Sequence, residues 1–262
     1  MPSRSQTKRW RALGRRKGRE EHGLALAEGP RLLEELLASP VRIRHVLWTR
    51  EAEEDPDAAA LLDRCREAGV PGEKVSGGEL ADLADTVTPQ GLLAIVEVPG
   101  RGWDDLPAGD LLVLDGVQDP GNLGTLLRTA EAMGVRGAVT LEGTVDPWNP
   151  KAVRASAGSI FRVPVVEARR DEVAARLRES GRSVWAADAA GTPFGRGEAL
   201  PDRVALVLGN EGAGVSQALL GAADRRVAVE LAGDVESLNV AVAAAVLMDR
   251  IFSSRAAEAP RC

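Results

Sequence analysis

Short apolar runs alternate with helical patterns along the second half of the chain. Residues 111–117 form an almost continuous apolar run, which is typical of a strand buried on both faces of a parallel sheet. The pattern predicts further strands at 137–141, 183–187, 203–208 and 225–231, and helices ending at Met133 and spanning 149–158, 171–180 and 238–252. Strands that alternate with helices predict an α/β fold with a parallel sheet and crossover connections.

The first half predicts a smaller α/β unit. Strands are expected at 23–27, 43–48 and 91–98, and helices from Pro30, at 58–68 and at 79–85. Residues 99–110 are rich in Pro, Gly and Asp and predict a linker, although a surface loop inside one domain is the alternative. The expected organisation is a flexible basic arm at 1–19, a small domain at 20–98, the linker, a larger domain at 111–255 and a tail at 256–262.

The charge is unevenly distributed. Residues 1–19 hold eight basic residues and no acidic one, whereas the whole chain has a net charge of -6. A basic arm on an acidic body indicates a polyanionic partner such as nucleic acid, and a disordered tail that aids solubility is the alternative. Trp10 is a candidate for stacking on an unpaired base. The candidate basic contacts are Arg9, Arg11, Arg15, Arg16, Lys17 and Arg19.

The composition argues against several classes of protein. No stretch reaches the roughly 18 apolar residues that span a membrane, and no apolar segment of a secretory signal follows the basic N-terminus. Cys65 and Cys262 indicate neither CxxC chemistry nor a disulfide framework. Together with His22 and His45 they show no zinc-ligand spacing. We therefore expect a cytoplasmic protein with no metal.

Candidate chemistry lies in segments that follow predicted strands, because parallel sheets bind ligands at the carboxyl ends of their strands. The first segment, 122–128 (NLGTLLR), follows the strand at 111–117. Asn122 suits the N-cap of the next helix, and Arg128 lies nearly two turns further on. Arg128 is either a clamp for an anion such as a ribose phosphate or a surface arginine with its stem on apolar neighbours.

Two more segments complete the candidate site. The glycine-rich stretch 208–214 (LGNEGAG) lacks both the Walker Lys-Ser/Thr pair and the GxGxxG fingerprint. Its Glu211 would repel a phosphate, which favours a cationic or neutral ligand, and a tight strand-to-helix turn is the alternative. In 236–239 (ESLN), Ser237 is a good N-cap for the last helix, but capping leaves Asn239 unexplained.

In this order and spacing, the three segments resemble the three sequence motifs of the SpoU (TrmH-like) family of RNA ribose 2'-O-methyltransferases, within the SPOUT superfamily. The resemblance covers about residues 111–253, and the stretch 156–159 (SAGS) also looks like a recurrent family element. Residues 20–98, with Glu28-Gly29-Pro30, more weakly resemble the small substrate-binding domain of many such enzymes. That domain is similar to ribosomal proteins that recognise RNA kinks.

The resemblance implies features that the spacing itself does not show. It implies a parallel-sheet domain with a deep C-terminal trefoil knot, and a homodimer whose active site is completed across the interface. S-adenosylmethionine would bind in the knot, mainly through backbone groups. The implied cofactor contacts are Ala187, Leu208, Gly209, Gly212, Leu231, Leu238 and Asn239. The implied catalytic residues are Arg128, Asn122, Glu211, Ser237 and Asn239, and Arg128 would also contact RNA.

In this family the residue matching Arg128 is usually assigned to activate the 2'-hydroxyl. Because an arginine pKa is too high for a base at neutral pH, we expect Arg128 to orient the target phosphate and stabilise developing negative charge. Asn122 would help place the ribose and Arg128. Glu211 would hold the glycine-rich loop through backbone hydrogen bonds, or pair with Arg128.

The expected activity is S-adenosylmethionine-dependent methylation of a ribose 2'-hydroxyl. The extra N-terminal domain favours ribosomal RNA as the substrate over transfer RNA, which is one alternative. A catalytically silent RNA-binding or ribosome-assembly factor on the same scaffold is another, and the intact Asn122, Arg128, Glu211 and Asn239 argue against it.

Overall fold

The computed structural model describes residues 3–194, 198–233 and 237–256. Its α-helices are Arg4–Ala12 (α1), Arg16–His22 (α2), Pro30–Leu37 (α3), Arg50–Glu54 (α4), Pro56–Glu67 (α5), Gly77–Ala81 (α6), Pro120–Ala132 (α7), Pro150–Ala155 (α8), Ser159–Arg162 (α9), Arg170–Glu179 (α10), Gln217–Ala222 (α11) and Val240–Ala256 (α12). Its strands are Leu24–Glu28 (β1), Ile43–Trp48 (β2), Gly72–Lys74 (β3), Leu92–Glu97 (β4), Leu111–Asp115 (β5), Gly137–Thr140 (β6), Val165–Glu167 (β7), Ser183–Pro193 (β8), Val204–Gly209 (β9) and Arg225–Ala228 (β10).

The chain divides into two compact units. The N-terminal unit comprises the residues up to Gly100 together with Asp146–Arg162, and the C-terminal unit comprises Arg101–Val145 and the residues from Val163 onward. The sequence pattern places a single boundary at 99–110. In the structure the segment Asp146–Arg162 leaves the C-terminal unit and packs with the N-terminal one.

The N-terminal unit is built on a four-stranded sheet with the order β1-β4-β2-β3. Strand β4 runs antiparallel to β1 and β2, and β3 runs parallel to β2. Helix α3 begins at Pro30, whose fixed φ suits a first helical position, and buries three leucines. The core of this unit includes Leu13, Leu47 and Ile95, all without exposed surface.

The basic N-terminal segment is folded from Ser3 onward, in place of the expected flexible arm. Ser3 and Gln6 form a capping box that starts α1. Trp10 is 5% exposed and packs against His45, with ring centroids 5.0 Å apart and ring planes tilted by 37°. The hydrophobic effect keeps this indole in the core of the unit, so it presents little ring surface for the expected stacking on an RNA base.

Ion pairs fasten the segment Asp146–Arg162 within the N-terminal unit. The Arg19 guanidinium lies 2.5 Å from the Asp146 carboxylate, with both side chains almost fully buried, and also donates to the Leu13 carbonyl at 2.7 Å. Arg162 pairs with Glu35 at 2.5 Å. Arg19, predicted to contact RNA, is thus a structural residue.

The predicted helix at 149–158 is interrupted, and α8 and α9 replace it. Ala157 has φ 48° and Gly158 has φ 91°, so the chain turns at the SAGS element. A Cβ on Gly158 would lie 2.7 Å from the Glu35 side chain. Packing and a positive φ therefore account for the glycine of this element.

The C-terminal unit confirms the predicted parallel α/β architecture. Its six-stranded sheet has the order β10-β8-β9-β5-β6-β7, and every neighbouring pair is parallel. The residues of β5 and β9 are all buried, as expected for central strands. Residues 101–110 belong to this unit, since Trp103 and Leu106 pack on its core.

Helix α12 begins at Val240 rather than at 238, and it buries Leu247, Met248, Ile251 and Phe252. These residues anchor it in the C-terminal unit. Among the residues that the structure describes, no helix combines the length and apolar character needed to cross a membrane.

Candidate active site

Four neighbouring strands bring the predicted site segments to one edge of the C-terminal sheet. Because all pairs are parallel, the carboxyl ends of β10, β8, β9 and β5 share that edge. Leu231 follows β10, Ala187 lies in β8 beyond its paired stretch with β9, and Leu208 and Gly209 end β9. The residues implied as cofactor contacts therefore occupy adjacent positions in the strand order.

The glycine-rich stretch forms a closed turn after β9. Asn210 and Gly214 exchange two backbone hydrogen bonds of 3.0 and 2.9 Å. The Asn210 side-chain oxygen accepts from the N–H groups of Gly212 and Ala213 at 3.0 and 2.9 Å. A Cβ on Gly209 would lie 2.1 Å from the Gly214 backbone, so only glycine fits there.

Asp115 and Gly116, at the end of β5, hold both ends of this turn. Asn210 Nδ2 donates to the Gly116 carbonyl at 2.9 Å, and the Ser216 N–H donates to Asp115 Oδ2 at 2.8 Å. The Asp115 carboxylate is 2% exposed and also accepts from Arg170 Nε at 2.8 Å. Sequence reasoning missed Asp115 as a positioning residue. The available signal was an acid at the end of a buried strand, which needs charged or hydrogen-bonding partners.

Glu211 links the turn to the segment after β5. Its carboxylate accepts from the backbone N–H groups of Gln118 and Asp119, both at 3.2 Å, and from Asn122 Nδ2 at 3.1 Å. Burial raises the pKa of Glu211, but the hydrogen bonds from Asn122 and from backbone N–H groups outweigh it, so the pKa lies below its ordinary value. The carboxylate is therefore ionised at neutral pH.

Asn122 and Asn239 join the first and third motifs. Asn239 Nδ2 donates to Asn122 Oδ1 at 3.1 Å, so Glu211, Asn122 and Asn239 form one hydrogen-bonded chain. The bridging role of Asn122 depends on its position inside α7 rather than at its N-cap. Asp119 is the N-cap and accepts from the Asn122 N–H at 2.9 Å, with Pro120 in the first turn.

The N-cap prediction for the last helix was also wrong. Asn239 Oδ1, not Ser237, accepts from the Ala241 N–H at 2.9 Å. The reason is that α12 starts two residues later than the apolar pattern suggests. Asn239 thus both caps α12 and contacts Asn122.

Arg128 and Ser237 lie outside this hydrogen-bonded chain. Both are exposed, and within the described part of the chain neither side chain has a hydrogen-bond or ion-pair partner. The alternative that Glu211 pairs with Arg128 is not observed, because Glu211 is engaged by Asn122 and the backbone. The Arg128 guanidinium, on the exposed face of α7, is available to an anionic ligand.

The residues of this edge fit S-adenosylmethionine. Ala187 is small, and Leu231 and Leu238 offer apolar surface for an adenine ring; Leu238 is 36% exposed although it is a large hydrophobic residue. The Glu211 carboxylate supplies a negative field of the sign that suits a sulfonium. The side chains of the seven cofactor positions carry no positive charge that would repel the cofactor.

The predicted RNA contacts in the N-terminal segment fall into three groups. Arg19 is buried and internally paired. Arg11 pairs with Asp82 at 2.7 Å and Arg16 with Glu20 at 2.6 Å, both at the surface. The remaining three are exposed and make no ion pair within the described ranges: Arg9, Arg15 and Lys17.

Comparison with known protein families matches both halves of the chain. The profile described as the SpoU rRNA Methylase family matches residues 110–249. A profile described as the MRM3-like substrate binding domain matches residues 4–94 and so includes the helical N-terminal segment. The chain belongs to the SpoU rRNA methylase family.

Characterised relatives and solved structures agree with this membership. The chain is 37% identical over 244 residues to the 23S rRNA (guanosine(2553)-2'-O)-methyltransferase RlmP of Bacillus subtilis, covering 92% of this chain and 93% of the relative. It is similar to the SpoU methyltransferase AviRb of Streptomyces viridochromogenes, solved with AdoMet, with a TM-score of 0.86 and 26% identity over 97% of this chain and 99% of that one. The AdoMet-bound rRNA methyltransferase of Sinorhizobium meliloti has a TM-score of 0.83 and 28% identity, covering 95% of each chain.

Proposed function

We propose that this protein transfers a methyl group from S-adenosylmethionine to a ribose 2'-hydroxyl of ribosomal RNA. The observation that carries the proposal is the hydrogen-bonded chain of Glu211, Asn122 and Asn239, which joins all three family motifs at one sheet edge. Relatives that match most of the chain are named as 2'-O-methyltransferases of 23S rRNA, which supports both the reaction and the substrate.

The cofactor is proposed to contact the carboxyl-end segments of β8, β9 and β10. These segments contain Ala187, Leu208, Gly209, Gly212 and Leu231, and Leu238 and Asn239 precede α12. When bound, S-adenosylmethionine supplies an activated methyl group on a positively charged sulfur. The turn after β9 is held at both ends by Asp115 and Gly116, so its backbone groups are in place before the cofactor arrives.

Arg128 is assigned to binding the RNA and not to removing the proton of the 2'-hydroxyl. Its guanidinium is always charged and has a planar set of donors that suits a phosphate. We place it against the phosphate of the target nucleotide and the developing negative charge on the 2'-oxygen. In the reaction the O–C bond forms as the C–S bond breaks, and the hydroxyl proton passes to water or to an RNA phosphate.

Asn122, Glu211 and Ser237 serve to position the reactants. Glu211 fixes Asn122 through its side-chain amide, and the Asn122 oxygen fixes Asn239. The exposed Ser237 hydroxyl is available to the ribose or the cofactor. The trefoil knot, the homodimer and the cytoplasmic location implied at the outset stay predictions.

The proposal is tested by incubating unmodified ribosomal RNA and transfer RNA with the protein and methyl-labelled S-adenosylmethionine. Mass spectrometry of the nucleosides then locates the label. We expect a 2'-O-methyl nucleoside from ribosomal RNA, and an Arg128→Ala variant that binds the cofactor but is slower by about 10²–10³-fold.

Each other outcome contradicts part of the proposal. Label only in transfer RNA would keep the chemistry and overturn the substrate. Label on a base would overturn the 2'-hydroxyl as acceptor. Cofactor binding without label in free RNA or in assembled ribosomal subunits would favour the silent RNA-binding factor. An Arg128→Lys variant with wild-type turnover would contradict the role of the planar guanidinium.

A further inference from the structure

A groove on the N-terminal unit carries an excess of positive charge. Its volume is about 570 Å³, within the range of ligand-sized pockets, and it lies between α1, the start of β2 and the end of β4. Three arginines and one acid line it: Arg9, Arg42, Arg44 and Glu97. The rings of Trp10 and His45, which pack against each other at a tilt, form part of its wall.

Glu97 orients two of these arginines without neutralising the groove. Arg44 lies 2.9 Å from the Glu97 carboxylate and Arg42 lies 3.9 Å from the same oxygen. A guanidinium has five N–H donors, so one shared carboxylate leaves most donors of both side chains unused. The Arg42 side chain is 69% exposed and the Arg44 side chain 45% exposed, so these donors face solvent. Arg9 adds a third charge that has no ion-pair partner within the described ranges.

The same two arginines continue the surface beyond this groove. A second groove of about 580 Å³ shares Val41, Arg42 and Arg44 with the first and extends to Gly69, Val70 and Pro71. The ridge between the two grooves therefore presents both guanidinium groups. An extended polyanion that follows both grooves would pass over this ridge, whereas a single small anion would need only one of them.

We propose that Arg42 and Arg44, with Arg9, bind consecutive phosphates of the RNA substrate along these two grooves. The proposal rests on the proposed function for the identity of the polyanion. It is supported by the match of residues 4–94 to a substrate-binding domain. Guanidinium groups recognise phosphate through paired donors, and such contacts position an RNA without reading its sequence. Arg42 and Arg44 lie outside the basic segment 1–19 that charge counting selected.

The test measures the affinity of the full-length protein for an unmodified ribosomal RNA transcript as a function of salt concentration. The logarithm of the association constant falls linearly with the logarithm of the salt concentration. Each phosphate contact that is removed makes this slope shallower by roughly 0.7–0.9. We expect the Arg42→Gln/Arg44→Gln double variant to lose about 1.5 units of slope and about tenfold in affinity at low salt. The Arg42→Lys/Arg44→Lys variant, which keeps both charges, should keep most of the slope.

The matched control is Arg31→Gln/Arg64→Gln, which removes two exposed charges from α3 and α5 of the same unit. Equal effects of the two double variants, or none in either, would overturn the groove assignment. Thermal unfolding and cofactor affinity should match wild type in both, so a loss of RNA binding is not a loss of folding. If the wild-type protein methylates ribosomal RNA while the Arg42→Gln/Arg44→Gln variant binds RNA normally, the assignment of the grooves to RNA binding is wrong and the proposed function stands. If wild type methylates no RNA, the proposed function fails.

Discussion

The sheet edge of the C-terminal unit and the basic segment 1–19 of the N-terminal unit differ in how their polar side chains are held. At the edge, the side chains of Glu211, Asn122 and Asn239 hydrogen-bond to one another and to backbone N–H groups at 2.9–3.4 Å. In the basic segment, Arg19 forms a buried ion pair, whereas Arg9 is exposed and makes no ion pair within the described ranges. The sequence around these two arginines does not distinguish them. The spacing of motifs along the chain identifies the hydrogen-bonded site at the sheet edge. Positive charge in the sequence does not by itself identify which arginines of the N-terminal unit are exposed and unpaired.

The largest expected effect separates a structural arginine from those proposed to bind RNA. Arg19→Gln leaves the Asp146 carboxylate buried without its partner, so the free energy of unfolding should fall by about 3–5 kcal/mol. Chemical denaturation measures this. Arg50→Gln, which removes an exposed pair with Glu54, should change stability by about 0.5 kcal/mol or less. Similar stabilities of the two variants would show that the buried pair is not structural.

The next effect concerns the turn after β9. Gly209→Ala places a methyl group against the Gly214 backbone, so the turn must shift and cofactor affinity should fall by about a hundredfold, or about 3 kcal/mol. Calorimetric titration with S-adenosylmethionine measures this. The control is Gly221→Ala in α11, where nothing lies within 4 Å of the new Cβ. Wild-type affinity in Gly209→Ala would remove this turn from the cofactor site.

A smaller effect separates the two roles of Asn239. Asn239→Asp keeps the oxygen that caps α12 but loses the donor to Asn122, whereas Asn239→Ala loses both. We expect both variants to lose about tenfold in methyl transfer, equivalent to about 1.4 kcal/mol. Only Asn239→Ala should also lose about 1 kcal/mol of stability. Full activity in Asn239→Asp would mean that Asn239 acts only as a helix cap.

The smallest effect is a pH dependence of Glu211. Its pKa is lowered by hydrogen bonds to the ionised form, so its contribution to stability is complete above the ordinary value of 4.5 and is lost as pH falls through the lower folded value. The stability difference between wild type and Glu211→Gln should therefore be constant from pH 8 to about 5 and shrink below it. A difference that changes around neutral pH would contradict the assigned ionisation state.

Much of the C-terminal unit is predictable because its signals are local. The apolar run at 111–117 and the helix before Gly134 each depend on neighbouring residues, and both elements are present with small shifts. The sites of Glu211 and Asn122 follow from the carboxyl-end rule for parallel strands. Asp115 was missed because its partners Arg170 and Ser216 are distant in sequence.

The N-terminal unit is less predictable because long-range packing decides it. The high density of basic residues in the segment 1–19 suggests disorder. In the structure, however, Trp10 and Leu13 are buried in the core, and the segment is helical. Likewise, the segment Asp146–Arg162 joins this unit through Arg19 and Glu35, which lie more than a hundred residues away. No local pattern contains those contacts.

The central proposal is that the C-terminal unit carries out methyl transfer and the N-terminal unit binds RNA. Its most direct test is the single-turnover rate of methyl transfer as a function of RNA concentration. At saturating cofactor, Arg128→Ala should lower the maximal rate by about a hundredfold and change the half-saturating RNA concentration by about threefold at most. The Arg42→Gln/Arg44→Gln variant should raise the half-saturating concentration about tenfold and keep the maximal rate. A lower maximal rate in the groove variant, or an unchanged one in Arg128→Ala, would contradict the account.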